Sequence, residues 1–133
     1  MENAQVIFIS TIFMLYPHEK WEKQKGGRKM GKIVFLGHAA FKIETEEVKI
    51  LIDPFLTGNP LAPIKASDIK DCDIVLVTHD HGDHVGDAVD ICKRTGATLV
   101  AIYDLAVHLQ EQGVEKVEGM NIGGTTDIKG VKI

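Results

Sequence analysis

"DIVLVTHDHGDHVGDAVDICKRTG", residues 73–96, joins a strand pattern to a helix pattern through a segment crowded with histidine and aspartate. The run Ile74–Val77 is too continuously apolar for a strand with one wet face, so it reads as a strand buried on both sides. Beyond the cluster, Val85, Ala88, Val89 and Cys92 recur at helical spacing. Lys93 and Arg94 stand in the last turn and Gly96 is the stop, which predicts one continuous helix over 83–95. A strand-loop-helix unit therefore presents the cluster at the carboxyl end of a buried strand.

Working outward, "KIVFLG" (32–37), "AFKIET" (40–45) and "VKILID" (48–53) are short apolar or alternating runs around a Glu-Glu turn, the pattern of a β-meander. "PFLTGNPLAP" (54–63) holds three of the four prolines and a Gly-Asn pair, so it is irregular loop next to Asp53. "SDIKDC" (67–72) reads as a helical turn capped by Ser67. "ATLVAI" (97–102) is a second buried strand, "YDLAVHLQEQG" (103–113) a helix ended by Gly113, "EKVEGM" (115–120) a short strand, and "TTDIKGVKI" (125–133) a hairpin turning at Lys129-Gly130. Asn121, Gly123 and Gly124 read as turn chemistry. The order defines an α/β fold.

With 133 residues the chain is expected to form one domain, over residues 30–133, preceded by an extension over 1–29 outside that fold. The apolar run "VIFISTIFMLY" (6–16) is shorter than the roughly twenty residues that span a bilayer. It follows acidic Glu2 and leads into "PHEKWEKQKGGRK" without a cleavage site, so neither a membrane span nor a secretory leader is expected. A net charge of -4 with dispersed lysines leaves no nucleic-acid footprint. Cys72 and Cys92 form no C-x-x-C pair and read as small core residues of a cytoplasmic protein.

The chemistry lies in His79, His81, Asp83 and His84. Imidazole and carboxylate suit zinc and other divalent ions, and a loop bringing His79 and His81 together needs a common point to curve around. Four ligands exceed what one metal draws from so short a stretch. Two adjacent ions explain the excess, since binuclear sites generate hydroxide near neutrality and clamp the oxygens of a displacement reaction. The plainer alternative is a helix cap and surface turns, with Asp83 serving amide donors at the helix start. A nucleophilic triad is not supported, because no Ser or Cys stands in a G-x-S-x-G elbow and Thr78 lacks such a setting.

His79-Asp80-His81-Gly82-Asp83-His84 resembles the H-x-H-x-D-H signature of the metallo-β-lactamase fold superfamily. "GHAAF" (37–41) followed by "ILIDPF" (50–55) is similar to its small metal-dependent hydrolases, the ascorbate-6-phosphate lactonase-like branch, and the likeness runs over residues 30–133. The resemblance implies an αββα four-layer sandwich, of which this chain would be the N-terminal half. It implies two divalent ions, zinc first and manganese as the other choice, with His79 and His81 at one ion and Asp83 and His84 at the second. Asp83 would also steer the attacking hydroxide. His38 would lie near the pocket, and Asp53 would support the ligands from behind. Flavodiiron relatives carry glutamate where His81 stands, so histidine there implies hydrolysis.

The family's second half supplies a further histidine, a bridging aspartate and a last histidine. After His84 this chain has only His108, read as a helix-surface residue, while Asp104 and Asp127 lie in no matching motif. The expectation is thus a hydrolase of a small ester, lactone, amide or phosphoester whose site is incomplete, as in a fragment. The alternative is an inactive half-domain acting by association with another chain, either its missing C-terminal half or a second copy. Either way, an apolar face should stand uncovered.

Overall fold

A computed structural model of the protein describes residues 31–133, so the expected extension over 1–29 lies outside the described residues. Strands β1 (Lys32–Phe35), β2 (Phe41–Glu44), β3 (Lys49–Ile52), β4 (Ile74–Leu76), β5 (Thr98–Ile102) and β6 (Val117–Met120) form one sheet in sequence order. The first three are antiparallel neighbours, the expected meander, and β3 to β6 are parallel. Helices α1 (Gly82–Val85), α2 (Ala88–Thr95) and α3 (Tyr103–Glu111) fill the connections, and β7 (Asp127–Ile128) pairs with β8 (Val131–Lys132) in a separate hairpin.

Period-two alternation sends Leu51, Val75, Leu99 and Ala101 to one face. There they bury against Ala88, Ile91 and Cys92 of α2, Leu105, Ala106 and Leu109 of α3, and Leu56, Ala66 and Ile69 of the long loop. The opposite face carries Val48, Ile50, Ile74 and Val100, with Ile128 and Val131 of the hairpin packed against them. Asp73 fastens that hairpin to the sheet. Its carboxylate accepts the Lys49 N–H at 2.8 Å and pairs with Lys129, and the Lys129 bond, then the Lys49 amide, hold it below the usual carboxylate range. Among the described residues the hairpin covers only part of the face, where Ile33, Phe35 and Ile102 are 45%, 40% and 43% exposed.

Two local expectations need correction. The turn Ala66–Asp68 is capped at Lys65, where the Asp68 carboxylate accepts the Lys65 N–H at 2.9 Å, and Ser67 lies inside it. Arg94 closes the same turn by donating to the carbonyls of Ala66 and Ile69. The single helix over 83–95 is two helices. Gly86, at φ 44, breaks the ladder because the chain there presses on Pro54 and Phe55, where a Cβ would stand 2.5 Å from the Pro54 carbonyl oxygen.

Candidate metal centre

Parallel strands end together, and this brings the predicted residues to one edge. β1, β3 and β4 run the same way, with β2 reversed between the first two, so His38, Asp53 and His79 all follow carboxyl ends on one side of the sheet. Carboxyl edges of such sheets are where ligands bind. Helix α1 starts immediately after His81 and carries Asp83 and His84 back over that edge.

Asp53 is buried beneath the cluster and adopts φ 44, a left-handed conformation that aspartate tolerates better than most residues. One carboxylate oxygen accepts the Thr78 N–H at 2.8 Å. The other accepts the Thr78 hydroxyl at 2.7 Å and faces His84 Nδ1 at 2.8 Å. A carboxylate behind a histidine in this way sets the ring's tautomer and leaves Nε2 for other partners.

His38 stands in a tight turn closed by Ala40 N–H to the Gly37 carbonyl, at φ 58. Gly37 admits the loop behind this turn, since a Cβ there would lie 2.9 Å from Leu61. The turn aims His38 Nε2 at an Asp83 carboxylate oxygen 3.0 Å away, with both side chains about half exposed. Ligand atoms of His38, Asp83 and His84 lie within 4.8 Å of one another, a spacing one cation can span. The His79 ring lies 3.9 Å, centre to centre, from that of His84 in a tilted contact and 4.6 Å from that of His81 edge to face. Desolvation pushes the Asp83 carboxyl upward, but its own backbone N–H and the imidazoles of His38, His84 and His81 outweigh that and hold it below the usual range.

Of the four motif residues, Asp83 and His84 share a cation-sized group with His38, while His79 and His81 join it only through ring contacts and Asp53 backs His84. His108 lies elsewhere, on α3 beside Gln112, and Asn121 to Gly124 form a turn, as read from sequence. Two residues escaped sequence reasoning. Thr78 bridges Asp53 and His79, its hydroxyl 2.9 Å from His79 Nδ1. Asp87 accepts the N–H groups of Leu56 and Thr57 at 3.0 and 2.8 Å, pinning the loop that follows Asp53. A hydroxyl adjoining a motif histidine was the visible signal for Thr78. Nothing in the sequence marked Asp87.

A mixed sheet whose carboxyl edge gathers four imidazoles and two carboxylates defines an α/β domain with a candidate metal centre. The family model described as the Metallo-beta-lactamase superfamily matches residues 33–131. The chain belongs to the metallo-β-lactamase superfamily. A UPF0173 metal-dependent hydrolase of Methanopyrus kandleri is 64% identical over 102 residues, covering 77% of this chain and 44% of the relative. One from Pyrococcus abyssi is 58% identical over 106 residues, covering 78% of this chain and 46% of the relative. Among solved structures, Igni18, a metallo hydrolase of Ignicoccus hospitalis, aligns with a TM-score of 0.66 at 40% identity, over 73% of this chain and 42% of that one. The chain therefore spans less than half the length of these relatives. No helix among the described residues is long and apolar enough to cross a membrane.

Proposed function

We propose that the chain carries one side of a binuclear metal hydrolase site for small-molecule esters, lactones, amides or phosphoesters. The observation that carries this reading is the cation-sized group of His38, Asp83 and His84 over Asp53, which engages His84 Nδ1, with His79 and His81 packed beside it. The donor set suits zinc first and manganese second. When bound, two such ions supply Lewis acidity and make hydroxide available near neutrality.

His79 and His81 would hold one ion, and Asp83 and His84 the other. Asp83, half exposed above the cluster, also accepts a hydrogen bond from the attacking water and aims it, which is the role of a catalytic residue. His38, 3.0 Å from Asp83, restrains that carboxylate beside the cluster. These residues supply fewer donors than two ions require, so residues 30–133 act as the ligand-bearing N-terminal half of a four-layer domain, with the rest of the site coming from a further segment. A cytoplasmic setting agrees with the two free buried thiols.

A second reading has its own support. The uncovered face around Ile33, Phe35 and Ile102 suits a half-domain that acts through another chain, a second copy included, without catalysis of its own. Zinc uptake by the purified chain, measured by elemental analysis after gel filtration, tests the first reading. Uptake is expected in the parent chain and its loss in both His79→Ala and His84→Ala. A parent chain that takes up no zinc at neutral pH overturns the metal-site reading and leaves the second.

A further inference from the structure

One hydroxyl lies between the buried carboxylate and a histidine that the carboxylate does not itself touch. Thr78 Oγ1 is 2.7 Å from Asp53 Oδ2 and 2.9 Å from His79 Nδ1. A threonine hydroxyl owns one hydrogen, and a carboxylate can only accept. If that hydrogen pointed at His79, lone pairs of Oγ1 and Oδ2 would face each other at 2.7 Å with nothing between them. The hydrogen therefore lies toward Asp53. Oγ1 is then left with acceptor capacity alone, and His79 Nδ1 must carry a hydrogen and donate it to Oγ1.

We propose that Thr78 is a positioning residue that holds His79 in the Nδ1–H tautomer and turns its Nε2 lone pair toward the cluster. Asp53 Oδ2 thus orients two histidines, His84 directly and His79 through one hydroxyl. The hydroxyl is well fixed for this task. Its own backbone N–H is tied to Asp53 Oδ1 at 2.8 Å, and a β-branched side chain has few χ1 choices. With each Nδ1 given its own acceptor, both neighbouring rings keep an Nε2 lone pair for a metal. The inference rests on the metal-site reading for its purpose, while the tautomer itself is a property of the metal-free chain.

Long-range proton-nitrogen correlation on the 133-residue chain with labelled histidine, at about pH 8 and without added metal, reads the tautomer directly. The parent chain should show His79 as Nδ1–H. Thr78→Val, close to isosteric, should shift His79 toward Nε2–H, and Thr78→Ser should restore the parent signal. Zinc affinity by chelator competition should fall about 10–100-fold in Thr78→Val and recover in Thr78→Ser. His79 as Nε2–H in the parent chain overturns the proposal whatever the variants do, as does an unchanged tautomer in a folded Thr78→Val. A chain with the expected tautomers that binds no zinc upholds the relay and defeats the metal-site reading instead.

Discussion

At the scale of single residues, Asp53 carries the most. Three donors converge on it: the Thr78 N–H, the Thr78 hydroxyl and the His84 ring. Asp53→Asn keeps the size and the tolerance for left-handed backbone, but it leaves one acceptor oxygen for three donors and turns an NH2 group toward one of them. Zinc affinity measured by chelator competition should fall about 10–100-fold, with a loss of about 1–3 kcal/mol in urea unfolding from the stranded donors. Unchanged affinity would remove Asp53 from the support of the ligands. Asp53 was legible only through the resemblance of "ILIDPF" to the family's pattern, because an Asp-Pro after an apolar run reads by itself as a plain turn. The bridge through Thr78 was not, since it exists only because the register of β3 on β4 sets Ile52 beside Leu76 and so joins residues 25 positions apart.

At the scale of elements, six strands and the two longer helices could be read from periodicity, because buried strands of β-branched residues and amphipathic helices leave strong local patterns. The break between α1 and α2 could not. Val85, Ala88, Val89 and Cys92 keep helical spacing across it, and the cause is tertiary: Asp87 N–H donates to the Pro54 carbonyl, and Gly86 lets the chain approach that loop. Gly86→Ala would need positive φ with a Cβ placed 2.5 Å from a carbonyl oxygen. The variant should lose about 1–3 kcal/mol in urea unfolding. Zinc affinity should drop with it, since the displaced loop begins at Pro54, directly after the carboxylate that orients His84. A variant as stable as the parent would show that the loop yields freely and that the break is not held by this contact.

At the scale of the whole molecule, the sheet has among the described residues one sealed face and one partly open face, and the chain's two thiols both lie on the sealed side. Desolvation raises the Cys72 thiol from 9.0 to about 11 and the Cys92 thiol from 9.0 to about 12. Both folded-state values stand above the ordinary value, so the folded chain prefers the protonated thiols. That contribution is fully present below about pH 9 and is lost as pH rises through about 11 and about 12. Thiolate ultraviolet absorbance of the native chain should therefore stay low where the urea-unfolded chain already shows it, near 9.0. Alkylation at mild alkaline pH should be slow until the fold opens, because the thiolate is the nucleophile. Native thiols that titrate near 9.0 would mean that the helix-covered face admits water. The two helices would then not form the rigid backing against which the opposite edge holds His38, Asp53 and the motif histidines in place.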